Sequence, residues 1–424
     1  MKTVVENKGI KEQCQIYRHK SGMNIYVCEK PEYSSAYAIF GTRYGSIDTK
    51  FRLGGDAAFT EVPEGIAHYL EHKLFESEDG DAFSRYAKTG AMANAFTSFD
   101  RTCYLFSCSS NFEDSFRILL DFVQHPYFTE ETVRKEQGII GQEIQMYDDS
   151  APWRVLFNLL CALYHNHPVR IDIAGTIESI AQINADLLYQ CYRTFYNLSN
   201  MFICVAGNVK ADEVFRLCDE LLLDSEPVSI ERATHAEPEE IVKKSVEIKL
   251  PVSMPLFAIG YKERCEKPQK TVKERVCTEI LMKILFGSDS QLYKELLDAE
   301  LINDKFEAEY FTGHGYAAVL VEGESKDPQA VYEKINAAIA DAKRNGVTKE
   351  QFDRARKAIY GADAAAYNSV ENIVMSMVNA AFLNEGVFDE IETVKSVTLE
   401  DVNQRLREIL DPAHSAISVV SGEE

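Results

Sequence analysis

The strongest constraint on the fold is that one order of predicted elements occurs twice along the chain. Alternating apolar residues predict strands, and segments with helical spacing follow them, in residues 1–225 and again after residue 240. Between these halves, Pro227 and Pro238 stand among charged and small residues without a clean period, as in a linker. A chain of 424 residues also exceeds what one hydrophobic core usually serves. We therefore predict an α+β protein of two homologous α/β-roll domains, residues 1–225 and 241–424, joined by a linker at 226–240.

Each domain is expected to hold a mostly antiparallel sheet packed with helices. In the first domain, strands are predicted at residues 14–19, 23–30, 36–44, 92–107 (one long strand or two joined strands) and 201–206. Its predicted helices are residues 63–75, 81–89, 112–123, 130–147, 153–164, 185–196 and 211–222. In the second domain, strands are predicted at 245–249, 256–261, 306–311, 316–322 and 416–420, and helices at 271–286, 291–298, 330–344, 349–367 and onward to 410.

Composition and charge exclude several classes of protein. The net charge of −22 disfavours nucleic-acid binding, which needs a basic surface. The longest apolar runs, such as residues 280–286, are far shorter than the roughly 20 residues that span a bilayer. Residues 1–13 have no apolar core, so no secretory signal is expected. Ten scattered cysteines without a Cys-x-x-Cys pair indicate reduced core thiols. We expect a cytoplasmic protein without membrane or nucleic-acid partners.

A His-x-x-Glu-His motif lies on the helix predicted at residues 63–75. His68 and His72 are at positions i and i+4, so their imidazoles project from one helix face about one turn apart. This spacing suits two nitrogen ligands of one Zn²⁺. Glu71 lies beside the same face, where it can reach a metal-activated water without being a ligand. The motif predicts a zinc-peptidase site.

A third protein ligand is expected on another buried element, because a catalytic zinc takes three protein ligands and keeps a fourth position open. The helix predicted at 130–147 carries Glu136 and Glu143 two turns apart on one face, beside Ile139 and Ile140. Carboxylates on an apolar segment are costly to bury unless they are paired or metal-bound. One of the two acids is predicted to bind zinc and the other to support it, and the spacing does not say which.

Two weaker interpretations stand beside the zinc site. The motif could occur by chance on a solvated helix, but the preceding strand region and the downstream pair of acids favour a metal site. A second metal site at His165 and His167 is disfavoured, because this His-x-His precedes Pro168 and fits a loop or helix end better. The helix at 271–286 matches the motif helix in layout but carries no paired ligands, so the second domain is predicted to lack a metal site.

Three blocks of sequence together resemble the insulinase (pitrilysin) family of zinc metallopeptidases. They are residues 65–72 with the inverted motif, residues 94–98 with Tyr104 beyond them, and residues 136–143. The two-part α+β layout extends the likeness over essentially the whole chain. Its length is similar to that of the two-domain bacterial and mitochondrial-processing branch, whose members assemble as dimers around a closed chamber.

The resemblance implies a role for each residue of the motif and of the second helix. His68, His72 and Glu143 would be the zinc ligands, Glu71 the general base and Glu136 the supporting catalytic acid. The implied activity is that of a zinc-dependent endopeptidase, a hydrolase that cleaves peptides or flexible protein segments through a metal-activated water.

Residues 93–99 resemble the family's substrate strand, which pairs with an extended peptide by adding it to the edge of a sheet. The implied substrate-binding residues are Asn94, Ala95, Phe96 and Thr97. For Asn94, a turn or edge residue without contact to substrate is the alternative, because Asn is common in turns.

One segment departs from the family's pattern. Members that act alone carry an Arg and a Tyr seven residues apart in the second half, and these positions fall on Leu297 and Asp304 here. We therefore expect the zinc-bearing subunit of a heterodimer whose homologous partner supplies the Arg–Tyr pair, with a homodimer as the alternative. A non-catalytic assembly or scaffolding subunit of the same family is the second alternative, but it predicts a broken motif, and this motif is whole.

Overall fold

A computed structural model describes residues 1–78, 80–265 and 267–422 of the chain. Its strands are β1 (Lys2–Asn7), β2 (Glu12–Arg18), β3 (Asn24–Glu29), β4 (Ala36–Thr42), β5 (Lys50–Leu53), β6 (Thr60–Glu61), β7 (Glu76–Ser77), β8 (Gly80–Asp81), β9 (Met92–Thr97), β10 (Thr102–Cys108), β11 (Met201–Gly207), β12 (Ile230–Arg232), β13 (Ser245–Lys249), β14 (Leu256–Lys262), β15 (Glu307–Gly313), β16 (Tyr316–Glu324) and β17 (Ser415–Ser421).

The α-helices are α1 (Ile66–Leu74), α2 (Ala82–Thr89), α3 (Phe112–Gln124), α4 (Glu130–Asp148), α5 (Ala151–Leu163), α6 (Ile177–Ile180), α7 (Ala185–Phe195), α8 (Ala211–Leu221), α9 (Val272–Phe286), α10 (Gln291–Asp298), α11 (Pro328–Asn345), α12 (Lys349–Ala366), α13 (Val370–Leu383), α14 (Asp389–Ser396) and α15 (Leu399–Glu408). Short 3-10 helices lie at Pro168–Arg170, Leu198–Asn200 and Pro412–His414. Within the described residues, no helix combines the length and the apolar character that a membrane crossing requires.

The chain forms two compact units that exchange one segment each. Unit 1 contains Met1–Ile144, Asp172–Ala233 and Ala364–Phe388, and unit 2 contains Gln145–Ile171, Thr234–Asp363 and Asp389–Glu424. Helix α5 therefore belongs to unit 2, and helix α13 belongs to unit 1. The contiguous domains predicted from sequence do not include this exchange, because helical periodicity reports which face is buried but not which sheet it covers.

The sheet of unit 1 has seven strands in the order β1-β2-β3-β11-β4-β10-β9. All its pairs are antiparallel except β3 with β11. Strands β4 and β11 are buried along their whole length. Helix α3 packs against β4 and β10, and α13 packs against β3, β4 and β11. Strand β9 ends the order, so among the described residues its outer edge has no strand neighbour.

The sheet of unit 2 has five strands in the order β13-β17-β14-β16-β15, again with one parallel pair, β13 with β17. Helix α5 packs against β13, β14 and β17. It approaches closely at Gly260, where a Cβ atom would lie 2.6 Å from a methyl carbon of Leu163. Helix α9 packs beside β15 and buries Ile280 and Leu281 in the core of this unit.

The predicted α+β class, with two mostly antiparallel sheets packed with helices, is confirmed. The segment predicted as one or two strands at 92–107 is two, β9 and β10, paired in antiparallel register from Thr97 and Thr102. Strands β1, β7, β8 and β12 were not predicted, and neither were β5 and β6. The last two form a short hairpin directly before helix α1, where apolar residues are too few to give a strand pattern.

Candidate active site

Helix α1 carries the motif and is buried on nearly every side. It begins after Gly65, three residues later than the start predicted at Pro63. Gly65 has a φ of +84°, and a Cβ atom there would lie 2.3 Å from the carbonyl oxygen of Ala174. Only glycine fits a backbone that is both left-handed and in such close contact. His68 and Glu71 are each 8% exposed, although such groups are rarely buried without a partner.

Helix α4 brings a carboxylate against both histidines. Glu143 lies with Oε1 at 3.6 Å from Nε2 of His68 and with Oε2 at 3.4 Å from Nε2 of His72. One ligand atom from each of these three side chains lies within 4.8 Å of the other two. In the part of the chain that the structure describes, no other three His, Cys, Asp or Glu side chains come close enough to share a metal ion.

Glu136, two turns before Glu143 on α4, lies on the far side of the second histidine. Its Oε1 is 3.0 Å from Nδ1 of His72. In the neutral form of His72, a carboxylate in this position holds the proton on Nδ1, and Nε2, which faces Glu143, is then the atom that can bind a metal. The two acids that the sequence could not tell apart are thus separated by geometry: Glu143 faces both histidines, and Glu136 contacts the back of one.

The electrostatics of the histidines follow from burial and from these carboxylates. Burial lowers the pKa of His68 to about 4, so its imidazole is neutral at physiological pH. For His72 burial also disfavours the charged form, but the hydrogen bond to Glu136 and the nearby carboxylates outweigh it and raise the pKa. Burial opposes ionisation of Glu136 as well, yet the bond to His72 lowers its pKa. Among the described residues, the buried Nδ1 of His68 has no hydrogen-bond partner.

Glu71 stands outside the His–His–Glu group and contacts the edge strand instead. The hydroxyl of Thr97, the last residue of β9, donates to Oε2 of Glu71 at 2.7 Å. Burial raises the pKa of Glu71, and the hydrogen bond from Thr97 opposes that effect. The family resemblance implied a substrate-binding role for Thr97, and its contact with Glu71 was not predicted. That contact joins residues 26 positions apart, so no local pattern could have revealed it.

The predicted substrate strand corresponds to β9, with bounds Met92–Thr97 instead of residues 93–99. Asn94 is exposed, and its Oδ1 accepts a hydrogen bond from the backbone N–H of Ala95 at 2.9 Å. Ala95 and Phe96 are half-buried in the same strand. Within the described part of the chain, the strand pairs with β10 on one side only, so its other edge offers backbone groups for an added strand.

Among the described residues, neither the other histidines nor unit 2 forms a further group that could hold a metal ion. His167 caps the 3-10 helix Pro168–Arg170, where its Nδ1 accepts from the N–H of Val169 at 3.1 Å, and it lies in the short loop after helix α5, in agreement with the loop or helix end predicted before Pro168. In unit 2, Leu297 on α10 is 46% exposed, and Asp304 is also exposed.

Comparison with known proteins agrees with this fold. Residues 55–177 match the family model described as Insulinase (Peptidase family M16), and residues 182–359 match the model described as Peptidase M16 inactive domain. The chain belongs to the insulinase (M16) peptidase family, as the resemblance of its three sequence blocks indicated.

Individual relatives cover nearly the whole chain. The uncharacterized zinc protease YmfH of Bacillus subtilis (strain 168) is 39% identical over 95% of this chain and 95% of its own length. The uncharacterized zinc protease YmxG of the same organism is 26% identical over 87% and 91%. A solved structure from Alicyclobacillus acidocaldarius, described as M16-like, superimposes with a TM-score of 0.93 at 35% identity and covers 99% of this chain and 100% of that chain.

Proposed function

We propose that this protein is a zinc-dependent endopeptidase that cleaves peptides or flexible segments of proteins. The observation that carries the proposal is the group of His68, His72 and Glu143, whose ligand atoms lie within 4.8 Å of one another. Two imidazoles and one carboxylate are a known ligand set of catalytic zinc. The name zinc protease, which two relatives bear, is consistent with this assignment.

The residues present fit a zinc ion in three respects. The pKa of His68, lowered to about 4 by burial, keeps the imidazole in the neutral form that binds metals. Glu136 bonds to Nδ1 of His72 and leaves its Nε2 as the ligand atom. Glu143 supplies the negative charge that a divalent ion needs. When bound, zinc acts as a Lewis acid that lowers the pKa of water and polarises the scissile carbonyl.

Glu71 is the general base in this proposal. It lies one residue before His72 on α1, beside the proposed ligands but outside their group. Its raised pKa makes the carboxylate a better proton acceptor than an ordinary surface glutamate. Oε2 is engaged by Thr97, so Oε1 takes the proton of the attacking water. The same oxygen then returns that proton to the amine that leaves as the peptide bond breaks.

Strand β9 is the proposed binding place of the substrate. A peptide that adds to its outer edge acquires backbone hydrogen bonds irrespective of side chains, which suits an enzyme for extended, unfolded segments. Because Thr97 ends this strand and contacts Glu71, a peptide on β9 lies next to the base. Asn94, Ala95 and Phe96 are the neighbouring positions that such a peptide meets.

The proposed active enzyme contains a second, homologous subunit. Leu297 and Asp304 occupy the positions at which self-sufficient family members carry Arg and Tyr, and neither side chain can act as those donors do. We propose a heterodimer in which the partner supplies them. Peptide cleavage by the purified chain is measured with and without its co-purifying polypeptides, and full activity as a homodimer would contradict the two-subunit proposal.

A cytoplasmic location completes the proposal. All ten cysteines are free thiols, and Cys161 is exposed. Free thiols persist in a reducing compartment, whereas an oxidising one favours disulfides.

The decisive experiment compares the wild-type chain with Glu71→Gln, in the presence of the co-purifying partner. We expect about one zinc per chain in both proteins and cleavage of a peptide library by the wild type alone, because the substitution removes the base and spares the ligands. A chain that binds no zinc in a chelator-free preparation, or a Glu71→Gln variant that still cleaves, would sink the proposal and favour a scaffolding subunit.

A further inference from the structure

Thr97 belongs to strand β9 and also contacts Glu71, so it connects two parts of the proposed site. It is the last residue of β9, the strand with the free edge, and it pairs with Thr102 of β10 in the sheet. Its side chain points away from that edge toward helix α1, where the hydroxyl meets Glu71. The contact joins the strand proposed to bind peptide and the carboxylate proposed to act as base.

The hydrogens available to the two threonine hydroxyls fix the direction of this contact. The hydroxyl of Thr102 donates to the carbonyl oxygen of Tyr44 at 2.9 Å. The oxygens of Thr97 and Thr102 lie 3.4 Å apart, which is longer than the 2.7 Å from Thr97 to Oε2 of Glu71. Each hydroxyl has a single hydrogen, so the hydrogen of Thr97 is given to the shorter bond, with the carboxylate. A bond to an ionised acceptor is also the stronger of the two.

We propose that Thr97 is a positioning residue for Glu71, so that the strand which receives the peptide also orients the base. This inference rests on the proposed peptidase function. The hydroxyl of Thr97 holds Oε2 of Glu71, and a backbone hydrogen bond from the same residue adds to this contact. The alternative is that Thr97 contacts the peptide directly, as its sequence block implies.

The two possible roles of Thr97 predict different changes in kcat and KM. If Thr97 orients the base, its hydroxyl matters for the chemical step and little for peptide affinity. The test variant is Thr97→Val, which keeps the branched shape of the side chain and removes the hydroxyl. The rescue variant is Thr97→Ser, which keeps the hydroxyl. A matched control is Thr194→Val, because Thr194 is a buried threonine of unit 1 whose hydroxyl donates to the carbonyl of Gln190 at 2.9 Å, a hydrogen bond that includes no residue of the proposed site.

The kinetic measurement uses the zinc-loaded protein with its co-purifying partner and a fluorogenic peptide that the wild type cleaves. We expect Thr97→Val to lower kcat by about 10- to 100-fold with KM changed less than about twofold, since small misplacements of a catalytic group have effects of this size. Thr97→Ser should restore most of kcat, and Thr194→Val should leave it unchanged. An unchanged kcat in Thr97→Val, or a failure of serine to rescue, overturns the proposal.

Peptide affinity and the position of the carboxylate are measured separately from turnover. In the Glu71→Gln background, adding Thr97→Val should leave the Kd of the same labelled peptide unchanged, and a weaker Kd would assign Thr97 to substrate contact instead. A crystal structure of Thr97→Val should show the Glu71 carboxylate rotated from its wild-type position. If the wild type cleaves no peptide, the proposed function fails, yet an unmoved Glu71 carboxylate in that structure would still overturn the positioning role independently.

Discussion

Helices α1 and α9 hold the same place in their units and carry different chemistry. Each packs beside the strand that ends its sheet, β9 in unit 1 and β15 in unit 2. When Leu74-Phe75 is aligned with Leu285-Phe286, the positions of His68, Glu71 and His72 are taken by Glu279, Met282 and Lys283. The fold therefore provides a helix beside an edge strand in both units, and only the helix of unit 1 carries the two histidines of the possible metal group.

The second helix of the site repeats this contrast. Aligning Thr129 with Thr348, the residues that precede α4 and α12, puts Ala355 at the position of Glu136 and Ala362 at that of Glu143. Unit 2 thus lacks both acids as well as both histidines. The comparison teaches that the proposed zinc site depends on side chains at a few positions, whereas a sheet packed with helices forms in both units without them.

The largest expected effect is on metal binding, and it separates the two helices directly. Replacing His72 by alanine should weaken zinc binding by more than about a hundredfold, because even partners outside the ligand group typically contribute about 10- to 100-fold. Lys283→Ala, the same change at the equivalent position of α9, should retain one zinc per chain. Metal analysis after dialysis measures both, and equal zinc loss in the two variants would abolish the distinction drawn between the units.

Helices α1 and α9 begin with different structural features, so substitutions there should lower the free energy of unfolding by different amounts. Gly65→Ala forces a Cβ into a left-handed residue 2.3 Å from the Ala174 oxygen and should cost more than about 2 kcal/mol of the free energy of unfolding. Helix α9 starts with a capping box of Thr271 and Glu274, so Thr271→Ala should cost about 1 kcal/mol. Denaturant unfolding compares the variants, and a larger loss from the second change would contradict this account.

Glu136→Gln tests whether the contact of Glu136 with Nδ1 of His72 contributes to metal affinity. The amide cannot hold a negative charge against Nδ1, so zinc should bind about 10- to 100-fold more weakly while the fold is retained. Glu131→Gln, an exposed acid in the first turn of the same helix, is the matched control. Competition with a chelator gives the affinities, and identical values for the two variants would remove Glu136 from the site.

The smallest expected effect concerns the acid that replaces His68 in unit 2. Burial and the charges of Glu390 and Asp363 raise the pKa of Glu279 to about 8. The folded protein therefore keeps a proton that the unfolded chain releases near pH 4, and stability falls as the pH rises between these values. Glu279→Gln should unfold like the wild type at pH 4 and be more stable at pH 9, by on the order of 1 kcal/mol. A variant that gains nothing at pH 9 would contradict the raised pKa.

The sequence predicted the parts of the site that depend on spacing along one helix. His68 and His72 had to share a face, and the structure brings both to Glu143. The roles of Glu136 and Glu143 were left open by spacing, because residues two turns apart share a face equally well and only the position of α1 separates them. The contact of Thr97 with Glu71, likewise, depends on how a strand packs on a helix, which no periodicity encodes.

The fold, like the site, was predictable where it depends on spacing along the sequence and not where it depends on packing. Alternation and helical spacing located most strands and helices, and the linker predicted at residues 226–240 contains the change from unit 1 to unit 2 at Thr234. The destinations of α5 and α13 were not predictable, since an apolar helix face is equally able to cover either sheet. Strands β4 and β11 are buried on both faces, so each face of the sheet needs a covering element. Which helix covers it can be told only once the order of the strands is known.

The exchange of α5 and α13 also constrains the stage of synthesis at which unit 1 can complete its folding. The first sheet requires α13 to cover one face of β4 and β11, and α13 ends at Leu383 of a chain of 424 residues. A ribosome delivers residues from the N-terminus onward. Unit 1, although residues 1–233 supply all the strands of its first sheet, therefore cannot complete the packing of that sheet until α13 has been made.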